Sequence, residues 1–172
     1  MSKTQINFGV IGLGSIANHH IKSITESEFC NLVAVCSRNK TKLIEAKTKY
    51  NINTFTAYSK MLELENLDAV IICTPSGYHL EPALEAAKKG KHILVEKPLE
   101  VTIKRAQKMI DACKKANVKL GCIFQNRYNA NYQKIKEAVT SGLIGNLILG
   151  NAYVKWHRDE SYYAETNWRG TF

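Results

Sequence analysis

Short apolar runs alternate with amphipathic segments along most of the chain. The runs predict six β-strands, near residues 6–11, 31–36, 53–56, 68–73, 91–95 and 119–124. Repeated strand–helix units with short connections are typical of a parallel sheet that helices cover on both faces. The pattern therefore predicts an α/β protein with a doubly wound Rossmann sheet, in which ligands bind at the carboxyl ends of the strands.

Two of the predicted helices have clear start and stop signals. One carries the apolar stripe Leu80, Ala83, Leu84 and Ala87, with Pro82 tolerable in the first turn and Gly90 as a stop. The other follows Thr102, a candidate N-cap, and carries the stripe Ile103, Ala106, Ile110 and Cys113. Each stripe predicts the side of its helix that packs on the sheet.

A glycine-rich turn, residues 12–17, separates the first predicted strand from a helix with apolar positions at Ala17, Ile21 and Ile24. Gly12 allows a tight turn, Gly14 lets the backbone approach a pyrophosphate, and the small Ala17 lets the helix lie close to the strand. The N–H groups of Ser15 and Ile16, at the positive end of the helix dipole, then face the phosphates. The alternative is an ordinary strand-to-helix turn without a ligand.

The end of the second predicted strand bears on the choice between NAD and NADP. An NAD-preferring Rossmann domain often offers an acidic residue here to the ribose 2′-hydroxyl, but this chain has Ser37 and Arg38. Both can accept a 2′-phosphate, and we expect NADP to bind at least as well as NAD. The alternative is that Arg38 stacks on adenine or caps the next helix.

Residues 125–172 have a different pattern of apolar positions. A helix with Tyr132, Ile135 and Val139 inward is predicted to stop at Ser141-Gly142, and residues 147–157 predict a long strand. Residues 158–172 are aromatic and polar and show neither helical nor strand periodicity. We therefore expect a cofactor-binding domain over residues 1–124 and the start of a second α/β domain over residues 125–172.

Composition, charge and the lengths of the apolar runs exclude several other classes of protein. The chain of 172 residues has no apolar run of the roughly 20 residues that span a bilayer, which predicts a soluble cytoplasmic protein without a membrane partner. Its net charge of +9 is spread over several helices without a nucleic-acid-binding motif, so we expect no nucleic-acid partner; a nucleic-acid binder, the alternative, would lose affinity steeply with salt. The five cysteines have no CxxC spacing, which predicts buried thiols and no metal site.

Further motifs follow the fourth and fifth strands. These are Thr74-Pro75-Ser76-Gly77-Tyr78-His79, then Gly90-Lys91-His92 running into Glu96-Lys97-Pro98, and later Gln125-Asn126-Arg127-Tyr128 and Ser141-Gly142-Leu143-Ile144-Gly145. With the glycine turn, they resemble the Gfo/Idh/MocA family of nicotinamide-dependent sugar oxidoreductases over essentially the whole chain. Three later segments, Trp156-His157-Arg158, Tyr162-Tyr163 and Trp168-Arg169-Gly170-Thr171, look most like the branch that oxidises C3 of UDP-N-acetylglucosaminuronate for surface polysaccharides.

The resemblance implies hydride transfer from a sugar carbon to the nicotinamide. Lys97 would hydrogen-bond the reacting hydroxyl and stabilise the developing alkoxide. Glu96 would orient Lys97 or contact the nicotinamide ribose, the alternative being a surface ion pair. His79 would help to position the cofactor beside Thr74 and Pro75, the alternative being a packed histidine. The resemblance also suggests a cis peptide bond between Lys97 and Pro98, whereas His19, His20 and His92 favour structural roles.

The remaining site residues lie later in the chain. The resemblance implies that Gln125, Trp168 and Arg169 contribute to the cofactor site, and that Lys97, Arg127, Tyr128, His157, Arg158 and Tyr163 contribute to the site for a sugar or nucleotide sugar. Some of these aromatic residues are alternatively packing residues.

Family members run to about twice this length, so the second domain is expected to be truncated, and no residue here matches the usual general base. We expect the 172 residues to bind NAD or NADP without turning over sugar, and the full-length family member to form a homo-oligomer. Two alternatives stay open: a cofactor-binding pseudoenzyme, and another sugar or inositol dehydrogenase of the same family.

Overall fold

The computed structural model describes residues 5–164 and contains one parallel sheet. Its strands are β1 Ile6–Ile11, β2 Cys30–Cys36, β3 Asn53–Phe55, β4 Ala69–Ile72, β5 His92–Val95 and β6 Leu120–Cys122. Their order is β3-β2-β1-β4-β5-β6, and every neighbouring pair is parallel. The strand order reverses between β1 and β4, which is where doubly wound sheets bind their ligands. All six predicted strands are confirmed.

Helices connect the strands and continue beyond them. They are α1 Ser15–Glu26, α2 Lys40–Tyr50, α3 Tyr58–Met61, α4 Leu80–Lys88, α5 Ile103–Lys115, α6 Ala130–Thr140 and α7 Glu160–Ala164. The predicted N-cap of α5 is confirmed, because the hydroxyl of Thr102 accepts a hydrogen bond from the Arg105 amide at 3.3 Å. Pro82 lies in the first turn of α4, and Gly90 follows that helix with a φ of 71°.

Two apolar clusters hold the helices on the sheet. Ala17, Ile21 and Ile24 of α1 are buried in one cluster, as their spacing predicts. The other cluster contains residues of α3, α4 and α5, and here two expectations need correction. Leu84 of the predicted α4 stripe is 37% exposed, whereas Pro82 and Ala86 of α4 are buried. Ile103 is 89% exposed, because it is the first residue of α5 and lies ahead of the turns that reach the core. Met109, outside the predicted stripe, is fully buried together with Cys113.

The chain divides into two compact units, Met1–Ile123 and Phe124–Phe172. In the second unit α6 forms as predicted, but Tyr132 and Ile135 are exposed rather than inward. The strand predicted over residues 147–157 is absent. A strand needs a neighbour for its backbone N–H and C=O groups, and no segment among the described residues pairs with it.

No helix in the described residues, 5–164, is both long enough and apolar enough to cross a membrane. The same residues contain no group of three or more histidine, cysteine or acidic side chains that could hold a metal ion.

All five cysteines are free thiols; Cys36, Cys73 and Cys113 are buried as predicted, whereas Cys30 and Cys122 are only partly buried. Burial raises the pKa of Cys36 to about 11, and burial together with the charge of Glu96 raises the pKa of Cys73 to about 12.

Because the thiolate is the nucleophile, we expect iodoacetamide at about pH 8 to label the partly exposed Cys30 first and to spare Cys36 and Cys73 until the protein is unfolded. Mass spectrometry of labelled peptides measures this order, and labelling of Cys73 as fast as Cys30 would contradict it.

Candidate functional site

The two glycines of the turn after β1 have different surroundings. Gly12 has a φ of 94°, and a Cβ atom there would lie 2.8 Å from the carbonyl oxygen of Cys73. Gly14 is the N-cap of α1 and is exposed; the nearest atom to a Cβ there would be 3.9 Å away. Gly12 is therefore required by the fold, whereas the space above Gly14 is open to a ligand.

The start of α1 is suited to an anion. The N–H groups of Ser15 and Ile16 belong to the first turn, where a helix has no partners of its own for them, and no acidic side chain lies in that turn. The Lys42 ammonium donates to the carbonyl oxygen of Leu13 at 2.8 Å and so adds a positive charge beside the turn. Lys42 lies 29 residues from its partner and belongs to no motif, so the sequence alone does not indicate this contact.

The segment between β2 and α2 carries the residues expected to select the cofactor. The hydroxyl of Ser37 accepts a hydrogen bond from the Asn39 amide at 3.1 Å, and the Asn39 side chain caps α2. Arg38 is exposed between them. Since Asn39 already caps α2, the side chain of Arg38 is not needed for that purpose.

His79 lies between the segments that follow β4 and β5. It is 1% exposed, its Nε2 atom lies 2.9 Å from the Thr74 carbonyl oxygen, and its Nδ1 atom lies 3.0 Å from the Pro98 carbonyl oxygen. A carbonyl oxygen only accepts hydrogen bonds, so the ring donates to one segment when neutral and to both when protonated. The ring joins the Thr74-Pro75 segment to the Lys97-Pro98 segment.

Glu96 and Lys97 follow β5 and differ in exposure. Glu96 is buried, and its Oε1 atom lies 2.7 Å from Nε2 of His20 on α1. Its Oε2 atom accepts a hydrogen bond from the Lys97 backbone amide at 3.0 Å. Lys97 is exposed, and its ammonium makes no hydrogen bond or ion pair with any residue in the described range 5–164. The Lys97-Pro98 peptide bond is cis, as predicted.

Arg105 on α5 joins the same two segments at a second point. Its Nη2 atom lies 3.0 Å from a carboxylate oxygen of Glu100, 3.0 Å from one of Glu81, and 3.1 Å from the carbonyl oxygen of Gly77. Burial alone would raise the pKa of Glu100, but the hydrogen bonds from Arg105 and from the Val101 amide hold that pKa below its usual value. This network, like His20, was missed in the sequence.

The other predicted residues do not belong to the first unit. Gln125, Arg127 and Tyr128 lie in the second unit in one 3₁₀ turn, and His157, Arg158 and Tyr163 lie further along that unit. The guanidinium carbon of Arg127 lies 5.7 Å from the centroid of the Phe124 ring, and that of Arg158 lies 5.0 Å from the centroid of the Tyr162 ring. Trp168 and Arg169 lie outside the described residues.

The parallel sheet has a glycine turn at its switch point, a helix start suited to an anion, and polar segments after β4 and β5. Together these features define a dinucleotide-binding Rossmann domain. Residues 6–124 match the family model for the oxidoreductase family with the NAD-binding Rossmann fold, Gfo/Idh/MocA. The chain belongs to this family.

Solved structures and curated relatives agree with the family. The chain is 35% identical to the WlbA dehydrogenase from Bordetella pertussis, determined in complex with NADH and UDP-GlcNAcA, with a TM-score of 0.89 over 96% of this chain and 51% of that one. It is 31% identical to the WlbA dehydrogenase from Chromobacterium violaceum, with the same two ligands, and the TM-score is 0.94 over 99% and 50% of the chains.

A third relative has a different substrate in its name. The myo-inositol 2-dehydrogenase of Thermotoga maritima is 34% identical over 81% of this chain and 42% of its own length. The chain thus spans about half the length of the relatives it matches.

Proposed function

We propose that this protein is an NAD(P)-dependent dehydrogenase that oxidises a nucleotide sugar, with UDP-N-acetylglucosaminuronate (UDP-GlcNAcA) as the best candidate. The observation that carries the proposal is Lys97: an exposed ammonium without a partner in the described chain, on a segment fixed by Glu96 and His79 beside the switch point of the sheet. Two dehydrogenases that resemble this chain over nearly its whole length were determined with UDP-GlcNAcA and NADH, which supports the choice of substrate.

The residues of the first unit suit this chemistry. Ser15 and Ile16 bind a pyrophosphate through their backbone N–H groups, and the exposed Gly14 lets it approach. NAD(P) supplies the nicotinamide that accepts the hydride when the alcohol becomes a ketone. Lys97 donates a hydrogen bond to the reacting hydroxyl oxygen and stabilises the negative charge that develops there as the hydroxyl proton passes to water.

The contributions of the second unit are part of the same proposal. Gln125, Trp168 and Arg169 are proposed for the cofactor, and Arg127, Tyr128, His157, Arg158 and Tyr163 for the substrate. A guanidinium suits the carboxylate or diphosphate of a nucleotide sugar, since it can donate two parallel hydrogen bonds to either group. An inositol is the second candidate substrate, because the Thermotoga relative is a myo-inositol 2-dehydrogenase. An inositol has neither a carboxylate nor a diphosphate.

A single-turnover assay tests the substrate. Protein in excess over NAD⁺ is mixed with UDP-GlcNAcA or with myo-inositol, and both NADH absorbance and the keto product are measured. We expect no repeated turnover, because no general base is assigned in this chain, but a slow single conversion to NADH and keto product with the nucleotide sugar alone, and we expect Lys97→Met to lower its rate at least about 100-fold. Lys104→Met, which removes another exposed lysine, is the matched control. Equal conversion of myo-inositol, or full activity of Lys97→Met, would contradict the proposal.

Cofactor preference is tested at Arg38. Replacing Arg38 by Ala should raise the Kd of NADPH at least about fivefold and that of NADH less than about twofold, because only the 2′-phosphate loses a charged partner. Lys49→Ala, at the other end of α2, controls for the change in net charge. Fluorescence titration measures the six affinities, those of NADPH and NADH for the wild type and for both variants. Equal losses for the two cofactors would instead indicate stacking of Arg38 on adenine.

A further inference from the structure

We infer that His20 is a positioning residue for Lys97, acting through the carboxylate of Glu96. The inference rests on the proposed role of Lys97. It assigns a function to a histidine on the cofactor-binding helix that the reaction itself does not use.

Both oxygens of the Glu96 carboxylate are engaged, each by a different element. Oε1 lies 2.7 Å from Nε2 of His20 on α1, and Oε2 accepts from the Lys97 amide at 3.0 Å. The side chains of His20 and Glu96 are only 15% and 9% exposed. Two donors on opposite oxygens fix the rotation of a carboxylate, so the direction of the Oε2 atom depends on the contact at Oε1.

Removing the His20 ring would leave a nearly buried carboxylate with one donor fewer. A turn of this carboxylate toward water lowers its free energy, because a buried carboxylate oxygen without a donor is costly. The Oε2 atom would then move away from the Lys97 amide, and the backbone that carries the Lys97 side chain would lose one of its fixed points.

The contact also joins the two ends of the proposed site. α1 starts at the anion-binding turn, and its sixth residue, His20, holds the segment that carries Lys97, although 76 residues separate His20 from Glu96. The helix that orients the pyrophosphate therefore also orients the residue that contacts the reacting hydroxyl.

The test uses the 172-residue protein and the Lys97 amide as the probe. The chemical shift and water-exchange rate of this amide are measured by NMR in the wild type, His20→Ala and His20→Gln. We expect His20→Ala to shift the signal and to speed exchange about tenfold, because the hydrogen bond to Glu96 is lost. His20→Gln keeps a side-chain N–H donor and should restore most of the wild-type rate.

His19→Ala is the matched control, since His19 is the exposed neighbour on the same helix, and it should leave the Lys97 amide unchanged. If His20→Ala does not fold, as judged by its melting curve, His20→Leu, which fills more of the space of the ring but has no donor, takes its place. An unchanged Lys97 amide in the folded variant, or an equal change in His19→Ala, would overturn the inference.

Binding of ADP-ribose, measured on the same variants, keeps this inference separate from the proposed function. We expect affinities within about threefold of the wild type, because ADP-ribose lacks the nicotinamide and relies on the turn and the start of α1. Failure of the wild type to bind ADP-ribose would contradict the proposed function and leave the result at the Lys97 amide standing. A loss of ADP-ribose binding in His20→Ala alone would assign His20 to α1 itself and overturn the inference.

Discussion

Replacing Gly14 by Val is expected to weaken NADH binding at least about tenfold while leaving the protein folded. A side chain at this position projects into the space that the pyrophosphate needs, and it displaces the phosphate from the N–H groups of Ser15 and Ile16. The nearest protein atom to the new Cβ is 3.9 Å away, so the fold has room for it. The cost in stability is limited to a poorer N-cap, about 1 kcal/mol or less.

Isothermal titration with NADH and a melting curve separate the two effects at Gly14. A loss of about 1 kcal/mol corresponds to a fall in Tm of no more than about 4 °C for a chain of this size. Gly150→Val is the matched control, because a Cβ at Gly150 meets nothing within 4 Å and the residue lies in the second unit. NADH affinity of Gly14→Val equal to that of this control would remove the glycine turn from the cofactor site.

Gly12→Ala should have the largest effect on stability. Its φ of 94° is unfavourable for any side chain, and the new Cβ would lie 2.8 Å from the carbonyl oxygen of Cys73, a backbone atom that cannot move without β4. Strain and overlap together should lower the free energy of unfolding by about 2 kcal/mol or more. Cofactor binding then falls because the turn is displaced.

The matched control for Gly12 is Gly90→Ala. Gly90 also has a positive φ, 71°, but a Cβ there meets nothing within 4 Å, so this variant bears the strain without the overlap. We expect it to cost about 1 kcal/mol. Chemical denaturation compares the two variants. If Gly12→Ala costs no more than Gly90→Ala, the contact with Cys73 does not constrain the turn.

The sheet could be predicted from the sequence because its strands are local apolar runs bounded by turn residues. The strand predicted over residues 147–157 has the same local pattern but no partner strand among the described residues. Tyr132 and Ile135 have a helical spacing, and α6 forms, yet both side chains are exposed. Periodicity thus predicts an element and its apolar face, whereas burial requires a neighbour that the periodicity does not specify.

The candidate site, like the fold, could be predicted from the sequence only where the signal is local. The glycine turn and Glu96-Lys97-Pro98 are contiguous motifs, so the sequence alone pointed to them. Apart from the contact of Arg105 with Glu100, five positions away, the contacts made by His20, Lys42 and Arg105 join residues that are 24 to 76 positions apart. The one signal for His20 is its register on α1, three residues after Ala17 and beside Ile21 at the edge of the buried stripe. That register places the ring near the sheet but does not name Glu96 as its partner.

An NMR titration of the 172-residue protein with ADP-ribose shows whether the start of α1 binds the pyrophosphate of a dinucleotide. We expect saturable shifts that are largest at the amides of Gly14, Ser15 and Ile16, with smaller shifts near Ser37. Largest shifts on the lysine-rich helices α2 or α5 away from the turn, or no saturable shift at all, would contradict it.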